Sequence, residues 1–354
     1  MVRIPGRRNE KTSIFAKQSL IDVKKVALVL SSGGPRGFAY IGAIEELVRR
    51  GYVISSVTGT SAGSLVGGVY AAGGLETFKE WITSLTTTQV MTLMDPSFTR
   101  TALVKGERLM REIRKRVPEV RIEDLPIPFT AVATDLYTGE EVLFREGPLF
   151  DAVRASISIP SMFVPVHMGT HTLVDGGICN TFPLNRAVRT EGDLLIGFNV
   201  NEIDAVEIRS FLKSRRELDD RGAALKEEAQ HVFRETLSAP GVDSLRRVKE
   251  LIMTGVETFQ EDHQLVLDGR EKRIPTGADD NVATILDRSF GIMNCAMARQ
   301  SIALNPPDIL VSLPYDSYQG VAAYARAGEI IDKGRELMSR ALDRHETMTS
   351  LKLV

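Results

Sequence analysis

Cysteine is scarce in this 354-residue chain: Cys179 and Cys295 are the only two. Two cysteines cannot build a disulfide framework or a cysteine-based zinc site, and they fit a reducing compartment. Histidine is sparse too, with His167, His171, His231, His263 and His345 as the full set. No stretch approaches the ~20 apolar residues that a bilayer-spanning helix needs. Neither sign of charge dominates, since 44 Lys and Arg stand against 46 Asp and Glu, so no global field draws the chain to nucleic acid. A phosphate-binding loop requires Gly-Lys-Ser/Thr, and that tripeptide does not occur. The opening MVRIPGRRNEKTSIFAKQSL is basic but lacks the apolar core of a secretory signal. Residues 1–23 therefore read as a basic, solvated N-terminal arm, whose Arg3, Arg7, Arg8, Lys11 and Lys17 suit contact with anionic lipid. The expected location is cytoplasmic, with any membrane contact peripheral.

What is present is an ordinary globular composition, 43% hydrophobic and 25% charged, with enough apolar material to bury a sizeable core. Val26–Leu30 is a short apolar run stopped by Ser-Ser-Gly-Gly-Pro, as a buried strand is. Gly37–Arg50 has apolar residues at helical spacing and is closed by Gly51. Val53–Val57 predicts a second strand and Leu65–Ala72 a second helix, so the first ~50 residues of the domain predict a parallel βαβ arrangement. Further strands are expected at Phe129–Thr134, Glu141–Phe144, Phe163–Val166, Thr172–Val174, Leu194–Val200 and Ile309–Leu313. Helices are expected at Glu107–Val117, Leu149–Ser156, Val282–Ala303 and Ala322–Leu342. Residues 24–354 thus read as one α/β domain carrying a polar helical insertion at about 207–280. Within it, a loose helical pattern covers Ala223–Leu237 and Leu245–Phe259. A simple amphipathic face accounts for its apolar residues, which favours a solvated excursion over a cover for the site.

Gly59-Thr60-Ser61-Ala62-Gly63 has the form G-x-S-x-G. A nucleophilic serine on a sharp strand-to-helix turn needs small neighbours, and the following helix aims its positive end at developing negative charge. The pattern alone arises by chance in many chains; a strand before it and a helix after it supply the context it requires. Ser32-Gly33-Gly34-Pro35-Arg36-Gly37 follows the first strand. It is no dinucleotide fingerprint, because the second strand ends in Gly-Thr-Ser-Ala-Gly and not in an acid. It fits an oxyanion hole, with backbone amides of Gly33 and Gly34, joined by that of Ala62, facing a tetrahedral intermediate. Pro35 has no N–H to give, and Arg36 is open to two readings, added charge or structural pairing.

A serine nucleophile needs a base. The five histidines read as strand-end, surface or insertion residues. Asp175-Gly176-Gly177 is the better candidate: the aspartate ends the apolar run Thr172-Leu173-Val174, and two glycines let another loop approach. Partial burial would raise its pKa from the ordinary ~3.9 toward neutral pH. On its own, an Asp-Gly turn is more readily a structural feature than a catalytic one.

Together these elements resemble the patatin-like phospholipases, over about Val26–Val200 and more loosely through Asn305–Leu342. The glycine-rich loop, the elbow through Ser64, Asp175-Gly176-Gly177 followed by Asn180 and Pro183, and Ala155-Ser156-Ile157-Ser158-Ile159-Pro160 occur in the family's order. The family's first loop glycine is Ser32 here. The resemblance implies a three-layer α/β/α sandwich with a mostly parallel sheet. It also implies a Ser61–Asp175 dyad without a catalytic histidine, flanked by the motif glycines Gly37, Gly59, Gly63, Gly176 and Gly177. The implied activity is hydrolysis of fatty-acyl esters such as phospholipids, of phospholipase A or lysophospholipase type, with no metal or cofactor. The same motifs are compatible with an acyltransferase, or with a non-enzymatic regulatory protein on the same fold.

Overall fold

The computed structural model describes residues 24–93, 102–104, 106–238, 254 and 282–352. The basic arm at 1–23 lies outside the described residues, as does the expected helical stretch Leu245–Phe259 apart from Thr254. The strands, in chain order, are β1 (Lys25–Leu30), β2 (Val53–Thr60), β3 (Ala102–Val104), β4 (Phe129–Asp135), β5 (Glu141–Phe144), β6 (Ser161–Phe163), β7 (Val166–Met168), β8 (His171–Asp175), β9 (Leu194–Glu202) and β10 (Ile309–Pro314). The helices are α1 (Ala39–Arg49), α2 (Ala62–Ala71), α3 (Leu75–Thr83), α4 (Thr87–Leu93), α5 (Glu107–Arg114), α6 (Leu149–Ser156), α7 (Ala205–Ser238), α8 (Val282–Leu304) and α9 (Ala327–Lys352).

The main sheet runs β10-β9-β1-β2-β4-β8-β7, with β5 also paired to β4. Its first five strands are mutually parallel, while β5, β7 and β8 pair antiparallel. β1 lies between β2 and β9 and is buried on both faces, which is why it reads as an unbroken apolar run. Its residues alternate between two cores. Val26, Leu28 and Leu30 join the larger one with side chains of α1, α2 and α9, whereas Ala27 and Val29 face the smaller one with Phe182, Leu184 and Ala298 of α8. Helices thus cover both faces, and the architecture is a three-layer α/β/α sandwich.

Several expected boundaries move, each for a local reason. The first helix is preceded by a 3₁₀ turn, Gly34–Phe38, with Pro35 at its start. α2 begins directly after Ser61 rather than at Leu65. The single strand expected at Phe163–Val166 is two: β6 pairs with β3 in a separate small sheet, and β7 pairs with β8. Pro165 sits between them and has no N–H with which to continue a ladder. The helix expected from Ala322 starts as a 3₁₀ turn, Val321–Arg326, before α9. α7 is continuous from Ala205, well before the pattern at Ala223. α3 and α4 answer to no element of the sequence reading.

Candidate active site

The elbow forms where β2 meets α2. Ser61 has φ 55° and ψ −122°, one of two non-glycine residues with positive φ among those described. Such a conformation costs an L-residue roughly 1–3 kcal/mol and persists only where its surroundings enforce it. Here Ser61 N–H donates to Ser156 Oγ (2.8 Å), and Ser156 in turn donates to Val132 O on β4 (2.6 Å). Gly63 packs against the end of β1: a Cβ there would lie 2.4 Å from Leu30 O and 2.7 Å from Ser31 O. No side chain fits, so the G-x-S-x-G spacing is a steric requirement of this turn, and Gly59 is confined in the same way by the Gly63 backbone.

Asp175 ends β8, and its side chain faces the serine. Ser61 Oγ donates to Asp175 Oδ2 at 2.5 Å, and Gly177 N–H donates to Oδ1 at 2.7 Å. Ser61 and Asp175 are both buried. Burial raises the carboxyl to a pKa of about 6, against the bonds from Ser61 and Gly177, which lower it. Two hydroxyls tie the pieces together: Thr60 Oγ1 donates to Asn180 O (2.9 Å), joining the elbow to the Asp-Gly-Gly turn, and Thr134 Oγ1 donates to Asp175 O (3.0 Å). Gly176 leaves no room for a side chain beside Val132 O.

The glycine-rich loop closes the third side. Gly34 has φ 54°, and Gly33 presses against Val200 of β9, where a Cβ would overlap the valine methyl at 2.1 Å. Gly37 packs on Ala62, so this loop and the elbow are in direct contact. The loop is held by polar groups from distant chain segments. Tyr40 OH donates to Ser31 O (2.8 Å), and Asn201 Nδ2 donates to Ser32 O (2.6 Å). Between the two readings of Arg36, the side chain takes the structural one: Nε donates to Val200 O (2.9 Å), Nη1 to Tyr315 O (3.1 Å), and the guanidinium lies over the Tyr315 ring.

Ser61 stands where two cavities meet. One, of about 90 Å³, is apolar and runs beneath the elbow between side chains such as Phe78, Trp81, Ile82, Leu85, Val90 and Phe163. The other, of about 410 Å³, opens outward past Asp175, Gly177, Asn201, Tyr315 and α8. Gly34, Ser61, Ile159 and Tyr324 border both. No histidine among the described residues lines either cavity. His171 instead pairs with Asp135 (2.6 Å), and His167 with Thr172 (3.1 Å). His263 lies outside the described residues. No group of three or more His, Cys, Asp or Glu suited to a metal ion occurs among the described residues.

Tyr40, Ser156 and Asn201 were not singled out by sequence reasoning. Ser156 falls in Ala155–Pro160, the segment that resembles the family's, but its role depends on α6 packing against the elbow. Tyr40 sits in the first turn of α1 and Asn201 at the end of β9, with no local signal of function.

A serine forced into positive φ between a strand and a helix, facing a buried carboxylate, is the construction of a nucleophile elbow. The family model described as "Patatin-like phospholipase" matches residues 28–188, spanning the glycine-rich loop, the elbow and Asp175. An uncharacterized NTE family protein of Mycobacterium tuberculosis is 34% identical over 342 residues, covering 91% of this chain and 92% of its own length. The chain belongs to the patatin-like phospholipase family. Mouse patatin-like phospholipase domain-containing protein 6 is 28% identical over 217 residues, which are 59% of this chain and 16% of that much longer protein. Among solved structures, VipD from Legionella pneumophila aligns over 91% of this chain and 67% of its own, at a TM-score of 0.41 and 14% identity.

Proposed function

We propose that this chain is a lipid acyl hydrolase of phospholipase A or lysophospholipase type, acting through a Ser61–Asp175 dyad and an acyl-enzyme. The observation that carries the reading is the 2.5 Å hydrogen bond from Ser61 Oγ to Asp175 Oδ2 at the junction of an apolar and an open cavity. The fatty-acyl chain occupies the apolar cavity, and the alcohol portion faces the open one. Asp175 takes the proton of Ser61 as Oγ attacks the ester carbonyl. Backbone amides of Gly33 and Gly34, with that of Ala62 at the head of α2, stabilise the oxyanion. Arg36 serves this loop by holding it against β9 and Tyr315 rather than by adding charge to the oxyanion. Asp175 then returns the proton to the departing alcohol. In the second half, a water gives its proton to Asp175 and attacks the acyl carbon, and the carboxylic acid leaves as Ser61 Oγ is reprotonated. A carboxyl with a pKa of about 6 suits both halves, since it is ionised at neutral pH yet binds a proton readily.

The test is ester hydrolysis by the wild type beside Ser61→Ala and Asp175→Asn, with fluorophosphonate labelling in parallel. Both variants are expected to lose at least ~10³-fold in kcat/KM, and Ser61→Ala to lose all labelling. Retained activity in Asp175→Asn, or a His→Ala variant as inactive as Ser61→Ala, would show that the base was misassigned.

A further inference from the structure

Helix α8 is built the wrong way round for a surface helix. Its inner face packs normally: Cys295 and Ala298 are buried, and Gly291 lies against the Tyr315 ring. Its described cations also turn toward the protein, Arg288 pairing with Asp316 and Arg299 donating to Ile203 O (2.6 Å). The opposite face should then be polar. Instead, helical spacing gathers Ile285, Leu286, Phe290, Ile292 and Met293 there, exposed at 53%, 54%, 43%, 54% and 54%. Ser289, Ala296 and Gln300 share this face, and among the described residues it carries no charge, with Arg299 at its border. α7, by contrast, exposes charged side chains along its length: Arg209, Lys213, Arg216, Glu217, Asp220 and Arg221.

The apolar face is continuous with the entrance to the site. Leu286 and Phe290 line the open cavity that reaches Ser61, and Ile178, 37% exposed, lines the same cavity immediately after Gly177. We infer that this face of α8 is the surface by which the protein seats itself on a lipid layer, inserting Ile285, Leu286, Phe290, Ile292 and Met293 among the acyl chains with the cavity mouth against the membrane. The choice of occupant rests on the acyl-ester reading above. A partner protein seated on Leu286 and Phe290 would close the mouth to substrate, whereas a lipid layer delivers substrate to it. Five side chains also fall short of the ~800 Å² per partner that a stable protein interface buries. With no cation on the face, attachment runs on apolar burial, so it needs no anionic lipid and resists salt.

The experiment is flotation of the full chain with phosphatidylcholine vesicles, beside the triple variant Ile285→Gln, Ile292→Gln, Met293→Gln, whose positions avoid the cavity lining. The wild type and Ser61→Ala are expected to bind alike, with the triple variant at least about tenfold weaker. Hydrolysis of a vesicle-embedded ester falls in parallel, while a short soluble ester is cleaved at the wild-type rate. Raising salt to about 0.5 M shifts wild-type binding to these neutral vesicles less than about threefold. The inference fails if the triple variant floats like the wild type, or if the wild type ignores neutral vesicles. It fails equally if salt abolishes binding, or if the wild type is a dimer that the triple variant dissolves. Flotation is independent of turnover: a chain that binds through α8 but hydrolyses no ester would overturn the hydrolase reading alone.

Discussion

Asp175 carries opposing demands. Burial holds its carboxyl near a pKa of about 6, and the bonds from Ser61 and Gly177 keep it from rising further. The base proposed here works only when ionised, so kcat/KM for a soluble ester is expected to climb tenfold per pH unit below about 6 and to level off above it. A profile flat from pH 5 to 8 would mean that another group limits the rate. Ser156 makes a second residue-scale prediction. Its hydroxyl accepts from Ser61 N–H and donates to Val132 O, both in the buried interior. Ser156→Ala leaves both groups unpaired, at a cost of about 1–3 kcal/mol each if no water replaces them. The variant should unfold at lower denaturant and lose kcat more than KM, because the elbow that positions Oγ loses its anchor.

At the scale of elements, the glycine-rich loop and the sheet are braced by a helix pair remote from the site. α1 and α9 cross in backbone contact: a Cβ on Gly42 would lie 1.9 Å from Ile331 O, and one on Gly334 would lie 1.9 Å from Ala39 O. Arg335 reinforces the crossing through Glu45 (2.6 Å), and Arg50 reaches from the end of α1 to Ser339 and Asp343 of α9. Gly42→Ala and Gly334→Ala are each expected to destabilise by about 3 kcal/mol or more, because the two helices must move apart. Gly328, with nothing near its Cβ position and an ordinary backbone conformation, is the control. Gly328→Ala should be neutral or stabilise by up to about 1 kcal/mol, as helix propensity gains without a clash. Urea midpoints of the three variants decide between these outcomes.

For the whole molecule, the site is a standing cost to stability. An acid with a folded pKa of about 6 and an ordinary value of 3.8 binds more protons folded than unfolded between those limits. Stability therefore falls as pH rises through that window, and the deficit is complete above it, at about 3 kcal/mol. Asp175→Asn removes the ionisation. It is expected to be more stable than the wild type at pH 8 by up to that amount and to match it near pH 4, as read by denaturant unfolding at the two pH values. An inactive variant that is also less stable at pH 8 would contradict the burial argument.

Features in which neighbouring residues constrain one another are written in the local sequence. β1 had to be an apolar run because both its faces are covered, and the elbow had to be glycine-flanked because Leu30 O and the Gly63 backbone leave no room for a Cβ. Ser61, Asp175 and the glycine-rich turn were legible for that reason, as were the parallel sheet and most of its strands. Tertiary structure alone decided what depends on distance through space. It brought Asp175 to Ser61 and turned Arg36 away to backbone carbonyls. It set Tyr40 and Asn201 on the loop, and it recruited α3 and α4 to line the apolar cavity. A side chain that works in place records its local backbone needs in the sequence near it, but a contact between segments a hundred residues apart leaves no such local record.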